Sequence, residues 1–241
     1  MRKTELIEKI INNIPNVEVD IDKNIVRPIL SELIDVKSEN FLTKLGFDTG
    51  DSDIPSFVHL GNITSINQLV GKRIVTGNIV ATDFPQEDES RFNDRDIESL
   101  CFVGGQIDFS FFRALTNLPN LRYVGNKLNL RLTGITNLPL LSYIGDTLLV
   151  SSCEKLESIP SLKYIGGSCT LYNCSALKSL PSLNVLGKRA IKLQISGCVN
   201  IEKFPQGLTI FNDSTITHDE KTNKETVADL EERFPNCKFF S

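Results

Sequence analysis

Six cysteines and two histidines are the side chains in this sequence best able to bind a metal or act as nucleophiles. Cysteine and neutral histidine are the ligands that zinc prefers, and a thiolate is also a strong nucleophile. Cys153, Cys174 and Cys198 are separated by 21 and 24 residues, and no Cys-x-x-Cys pair occurs. His59 and His218 lie far apart in the chain. Because structural zinc sites use close pairs of ligands, this spacing predicts no metal site and no bound cofactor.

Common catalytic motifs are absent from the sequence as well. No His-Glu-x-x-His, Gly-x-Ser-x-Gly or calcium-loop pattern occurs. The run from Val70 to Arg73 is similar to part of a phosphate-binding loop, but Ile66 and Arg73 stand where that loop requires Gly and Ser or Thr. We therefore expect no catalytic residues and a protein that is not an enzyme.

Composition and charge narrow the class of protein further. The chain has 241 residues, of which 40% are hydrophobic, so it can bury a core in one or two domains. Its 26 basic and 30 acidic residues give a net charge of −4, which offers no attraction to nucleic acid or to anionic lipid. Charged residues interrupt the first ten positions, and no apolar stretch is long enough to span a membrane. We expect a cytoplasmic protein that binds neither nucleic acid nor membranes.

An internal repeat is the dominant feature of the sequence. An apolar-Pro dipeptide begins at Leu118, Leu138, Ile159, Leu180 and Phe204, at intervals of 20, 21, 21 and 24 residues. The unit reads Leu-Pro-x-Leu-x-x-Ile/Val-Gly, followed by Leu-x-Leu-x-x-Cys/Thr and a closing apolar residue. Counting weaker copies at Val70–Thr76 and Leu208–Ile216, this pattern predicts a solenoid of about seven stacked units.

The period and the Leu-x-Leu-x-x-Cys/Thr segment resemble the leucine-rich repeat family over residues 64–216, in particular the short repeats of bacterial and phage proteins. The resemblance implies a mainly β fold with some α-helix, in which a parallel sheet lines a concave face. It also implies that one position in each unit forms a buried structural ladder with its polar atom against the backbone. The ladder residues are Thr133, Cys153, Cys174, Cys198 and Asp213.

One departure from the family pattern concerns glycine. Gly125, Gly145, Gly166 and Gly187 precede the expected strands, where the usual unit has leucine nearby. We expect a sharp turn there, because glycine tolerates backbone dihedral angles that other residues avoid.

Residues 1–56 lie outside the repeat and show helical periodicity. Apolar residues recur at helical spacing before Pro15, a second helix is expected to open at Pro28, and a third to run from Glu39 to Leu45. Two interpretations stay open for this segment. It covers the apolar end that every stack of repeats leaves exposed, or it forms a separate small interaction domain.

The rest of the chain divides into the solenoid, over residues 57–216, and a C-terminal cap, over residues 217–241. An acidic insertion at 85–96 interrupts the solenoid, and we interpret it as a solvated loop or as a lid that contacts a partner.

The C-terminal cap is expected to contain one helix. Thr222 and Glu225 match a capping box at its start, and Pro235 ends it. The apolar stripe of this helix is Val227, Leu230 and Phe234. The acidic residues expected to face water are Asp229, Glu231 and Glu232.

Alternation within the strands predicts which side chains face the core. Leu128 and Leu130 are two residues apart and point to one side, so the residues beside and between them point outward. The outward set mixes charge, amide and hydroxyl groups with a few apolar side chains, which is typical of a protein-binding surface. These candidate partner-binding residues are Asp108, Lys127, Asn129, Arg131, Leu149, Thr170, Tyr172, Lys192 and Gln194.

The expected function is therefore a non-enzymatic module that recognises another protein through the concave face of the solenoid. Two alternatives remain: a virion or cell-surface recognition protein that binds a glycan, and the targeting part of a bacterial effector-like protein. Sugar binding usually uses several aromatic platforms, and Tyr172 is the one aromatic residue in the outward set.

Overall fold

The repeats stack as successive turns of a parallel β-solenoid of about seven turns. The structure is a computed structural model that describes residues 3–15, 21–34, 56–85 and 92–241. The helix expected from Glu39 to Leu45 lies outside the described residues. Among the described helices, none combines the length and apolarity needed to cross a membrane.

Two parallel sheets of eight strands each run along the solenoid. Strands are numbered along the chain. Sheet A contains β1 (Val58–His59), β2 (Ile74–Val75), β4 (Phe102–Val103), β6 (Tyr123–Val124), β8 (Tyr143–Ile144), β10 (Tyr164–Ile165), β12 (Val185–Leu186) and β14 (Thr209–Ile210). Sheet B contains β3 (Ile79–Val80), β5 (Ile107–Asp108), β7 (Leu128–Asn129), β9 (Leu148–Ser151), β11 (Cys169–Tyr172), β13 (Lys192–Gln194), β15 (Thr215–Thr217) and β16 (Lys238–Phe240).

The interior between the sheets is the apolar core that the repeat predicts. Leu128 pairs with Leu148, and these residues are fully buried together with Leu130 and Val150. The outward-inward alternation of sheet B is thereby confirmed. A strand of two to four residues cannot bury such side chains alone, so each turn depends on its neighbours for its core.

Sheet A was not expected, because the sequence pattern predicted one parallel sheet. A Tyr-Val or Tyr-Ile pair forms three of its strands, β6, β8 and β10, in which Tyr123, Tyr143 and Tyr164 pair in register. The middle turns have a third side, where isolated bridges join Asn137 to Ser158 and Ser158 to Ser179.

The outermost repeats are shifted from the expected register. Ile74 and Ile210 lie in sheet A, although both were expected at the repeat position equivalent to Leu128, which lies in sheet B. The sheet B strand of the early turn is Ile79–Val80 instead. An apolar-x-apolar pattern occurs near both sheets, so it does not distinguish them.

After β4, β6, β8 and β10, glycine stands at the corner because the backbone of the preceding turn approaches too closely for a side chain. A Cβ atom on Gly145 would lie 1.9 Å from the carbonyl oxygen of Gly125, and one on Gly125 would lie 1.9 Å from that of Gly104. The expected reason, unusual dihedral angles, holds only for Gly187, with φ +89°. Gly125, Gly145 and Gly166 have no positive φ.

A ladder of buried hydrogen-bond donors runs along the core, just beyond the carboxyl ends of the sheet B strands. Cys153, Cys174 and Cys198 are fully buried, and all six cysteines are free thiols. Burial raises the pKa of Cys153, and the adjacent Cys198 thiol together with burial raises the pKa of Cys174. Each ladder side chain donates to a carbonyl oxygen of the preceding turn: Cys153 to Leu130 (2.8 Å), Cys174 to Val150 (3.1 Å), Cys198 to Leu171 (2.6 Å) and Thr222 to Ile195 (3.2 Å).

Of the two residues expected at the ends of this ladder, Thr133 lies in it and Asp213 does not. Thr133 is buried and donates to the carbonyl of Leu130 at 2.8 Å. Asp213 is exposed and outside the ladder, because its segment was assigned to the wrong sheet. Thr222 takes the last position, so this residue is buried and does not cap the following helix.

The N-terminal helices α1 (Lys3–Asn12) and α2 (Ile21–Leu33) pack on the outer face of sheet A. The apolar side chains of both helices form one cluster with Phe102, Tyr123 and Tyr143, and Glu32 pairs with Arg122 at 2.5 Å. The helices therefore cover a face of the solenoid and not its end. Pro28 lies inside α2, which begins at Ile21, about two turns earlier than expected.

Helix α3 (Lys224–Arg233) lies between the sheet B strands β15 and β16 in the chain and packs on the core through Leu230. Its N-cap is Asn223, whose side chain accepts from the backbone N–H of Glu225 and Thr226. Of the expected apolar stripe, Leu230 is fully buried, whereas Val227 and Phe234 are half-buried.

Asp229 of this helix does not face water, although Glu231 and Glu232 do. Its carboxylate is buried and pairs with Arg233 at 2.7 Å. The Arg233 guanidinium also donates to the carbonyl oxygens of Phe204 and Pro205, so this ion pair fixes α3 to the last complete turn.

The second half of the acidic insertion is ordered against the solenoid. Phe92 packs edge-on to Phe112 with ring centroids 4.8 Å apart, and Asn93 caps a 3₁₀ helix over Asp94–Asp96. This half thus contacts the solenoid through Phe92 while Asn93 and Arg95 stay exposed, and residues 86–91 lie outside the described residues.

We predict that Gly145→Ala lowers the free energy of unfolding by roughly 3 kcal/mol, because the new methyl group must displace the backbone of the preceding turn. Gly207→Ala is the control, since a Cβ there meets nothing within 4 Å. Urea unfolding followed by circular dichroism measures both variants. If the two variants are equally stable, the close approach of neighbouring backbones is not the reason for glycine at position 145.

The thiol ladder generates a second prediction. Valine is more apolar than threonine, yet Cys174→Thr should be more stable than Cys174→Val by about 1 kcal/mol, because only threonine keeps a donor for the buried carbonyl of Val150. At the purely apolar position 150, Val150→Thr should destabilise the fold, which provides the opposite control. Chemical denaturation measures the relative stabilities of the variants. If Cys174→Val is more stable than Cys174→Thr, the thiol of Cys174 does not stabilise the fold by its hydrogen bond to the carbonyl of Val150.

Candidate functional site

The outer face of sheet B carries the candidate binding residues and contains an open depression. The depression has a volume of about 430 Å³. Five of the nine predicted residues line it together: Arg131, Leu149, Thr170, Tyr172 and Gln194. Leu132, Ser151 and Ser152 complete the lining.

Strand register brings these side chains into one place. Leu149 pairs with Thr170, Ser151 pairs with Tyr172, and Thr170 pairs with Gln194. Because adjacent parallel strands lie about 4.8 Å apart, four turns supply one continuous surface. Tyr172 is 41% exposed and Arg131 is also exposed, whereas Leu149, Thr170 and Gln194 are half-buried.

Left-handed corners shape one side of the depression, and sequence reasoning missed them. Leu132, Ser152 and Asn173 have φ values of +57°, +55° and +53°. Ser152 and Asn173 directly follow β9 and β11, and Leu132 comes three residues after β7. Non-glycine residues rarely adopt this conformation, so its recurrence in stacked turns reflects a backbone path imposed by the solenoid. The available signal was Asn173 followed by Gly197 at the equivalent position, since both residue types favour such corners.

A second cluster, centred on Asp108, lies beside the depression. Its carboxylate accepts from the Asn129 amide at 3.0 and 2.9 Å, from the Ser110 hydroxyl at 2.6 Å and from the Lys127 ammonium at 3.3 Å. Burial alone would raise the pKa of Asp108, but these hydrogen bonds outweigh it and hold the pKa below its ordinary value. The Asp108 charge is thus neutralised within the protein.

Asn129 is consequently a positioning residue and not an exposed contact. It is 6% exposed, its amide nitrogen binds Asp108, and its oxygen accepts the backbone N–H of Arg131 at 3.3 Å. Lys127 is half-buried by the same cluster. Lys192 lies at the margin of the face, where it is exposed, and its backbone N–H donates to the Ser168 hydroxyl.

The chemistry available on this face is hydrogen bonding, charge pairing and apolar contact. Within the described ranges, no group of three or more His, Cys, Asp or Glu side chains could hold a metal ion. The buried ladder thiols are closed off from this surface, since they point into the core.

Comparison of the chain with protein-family models, with curated proteins and with solved structures finds no match. The geometry of the face is therefore the basis for inferring what it does.

We predict that Asp108→Asn lowers the Tm at neutral pH. The difference in Tm between the variant and the wild type should become smaller as the pH falls. A carboxylate whose pKa is lowered by folding contributes stability above its unfolded pKa of about 4, and that contribution disappears through the lower folded pKa. Thermal melts between about pH 7 and pH 3 test this. Asp213→Asn, at an exposed carboxylate, is the control and should show no such convergence.

Proposed function

We propose that this chain is a leucine-rich-repeat-type solenoid that acts as a non-enzymatic module and binds another protein through the outer face of sheet B. The Leu-x-Leu-x-x-Cys/Thr unit and the buried donor ladder support the family. Six free cysteines, five of them buried, are typical of a reducing compartment, so we place the function in the cytoplasm.

The observation that carries the binding proposal is the depression itself. It presents a partly exposed tyrosine and a leucine within a rim of arginine, glutamine and serine side chains. Tyrosine and arginine are the residues most enriched among those that dominate binding energy in protein interfaces. An apolar centre with a polar rim is also the usual arrangement of such interfaces.

Rigidity supports the same proposal. The strands that carry Leu149, Tyr172 and Gln194 are paired on both sides, so binding does not have to order them. A glycan is the less favoured ligand, because Tyr172 is the one aromatic side chain that lines the depression.

We predict that Tyr172→Ala weakens binding of peptides selected on the wild-type chain from a phage-displayed random library. The expected loss is about tenfold or more, since the substitution removes the largest exposed apolar group of the depression. Biolayer interferometry measures affinity, and a thermal melt should show an unchanged Tm. Arg131→Ala should act in the same direction.

Phe211→Ala is the matched control, because Phe211 is 50% exposed and does not line the depression. Peptides that bind Tyr172→Ala as tightly as the wild type would refute the proposed site. A glycan array that yields ligands sensitive to Tyr172→Ala, with no such peptides, would replace protein by carbohydrate as the ligand class.

A further inference from the structure

The outer face of sheet B carries more positive than negative charge, and this excess indicates the charge of a partner that binds there. On the sheet B strands from β5 to β13 and the residues that flank them, the outward charged residues are Lys127, Arg131, Lys192 and Asp108, three cations and one carboxylate. Lys127 and Asp108 neutralise each other. Neither Arg131 nor Lys192 has a carboxylate partner among the described residues. The whole chain, in contrast, has a net charge of −4.

Apolar side chains lie between and beside these two cations. Leu149 and Tyr172 line the depression together with Arg131, and Leu132 is next to Arg131 in the chain. Phe111 adjoins them, because its N–H donates to the carbonyl of Arg131 at 2.8 Å, and it is 56% exposed. The face therefore combines unneutralised positive charge with an apolar strip.

We propose that the partner presents an acidic segment that carries aromatic or aliphatic side chains, with its carboxylates on Arg131 and Lys192 and an apolar side chain against Leu149 and Tyr172. This inference rests on the proposed protein-binding function and specifies its ligand. Arginine is suited to carboxylates because its planar guanidinium donates two parallel hydrogen bonds. Positive charge on one face of a negative chain also directs an acidic partner to that face.

Nucleic acid fits the face less well than an acidic polypeptide. Phosphate backbones are bound by many cations along a track, whereas this face offers two that are free. The overall charge of −4 repels a polyanion that extends beyond the face.

The test uses two fluorescein-labelled decapeptides, one of alternating glutamate and tyrosine and one of alternating lysine and tyrosine. Fluorescence anisotropy with the full chain should show binding of the glutamate peptide, with at least tenfold weaker binding of the lysine peptide. Raising the salt concentration from about 50 to about 300 mM should weaken the glutamate complex. Arg131→Glu and Lys192→Glu should each reduce its affinity by about tenfold.

Lys163→Glu is the matched control, because Lys163 is exposed beside sheet A, outside the outer face of sheet B, and its reversal should leave binding unchanged. Circular dichroism melts verify that every variant is folded. Absent binding, equal binding of the lysine peptide, or equal losses from Lys163→Glu and Arg131→Glu would each overturn the acidic-partner proposal. Tighter binding of a fluorescein-labelled oligothymidine of equal charge at the same residues would also overturn it, in favour of nucleic acid.

The two proposals fail in different ways. If library-selected peptides lose affinity with Tyr172→Ala but carry neutral or basic side chains, the protein-binding function stands and the acidic ligand is wrong. If selected peptides are indifferent to Tyr172→Ala, the binding site itself is wrong.

Discussion

Direct stacking of one turn on the next is the constraint on which every other feature of this protein depends. Because paired strands hold equivalent residues side by side, each position of the repeat becomes a row with one chemical task. Leucine rows fill the interior, a glycine row lets backbones approach at the corner, and a row of thiols and hydroxyls satisfies buried carbonyls. The residue type at each position of such a row is determined by its contacts with the equivalent residues of the adjacent turns. The short strands have no stable core without those neighbours.

The two outer faces of the solenoid have opposite roles. On sheet A, Phe102, Tyr123, Tyr143 and Tyr164 form a continuous stack of aromatic rings, with centroids 4.5 to 4.8 Å apart and nearly parallel planes. Helices α1 and α2 cover most of this stack, so its apolar area contributes to stability. On sheet B, hydroxyl, amide and charged groups leave the face open to water, and the proposed function therefore lies there. The same periodic backbone thus supplies one face for internal packing and one for recognition.

The sequence predicted the core correctly where the alternation of apolar residues was long enough to show which side chains point inward. Leu128, Leu130, Leu148 and Val150 define such an alternation, and their burial follows from it. Sheet A escaped detection because its strands have two residues, too few to show a period. The docking of α1 and α2 was equally hidden, since an amphipathic pattern shows that a helix has an apolar face but not which surface that face meets. The five lining residues were predicted individually, but their depression depends on left-handed corners such as Leu132 and Ser152, which contain no glycine.

The contact between Glu32 and Arg122 joins residues 90 positions apart in the chain. Helices α1 and α2 precede the aromatic rings that cover their apolar sides, and those rings come from three different turns. During synthesis, both helices leave the ribosome well before their binding surface has been translated. Their apolar sides are therefore not fully covered until Tyr143 and its turn have joined the stack, so we expect the docking of the amino-terminal helices to be completed late in folding.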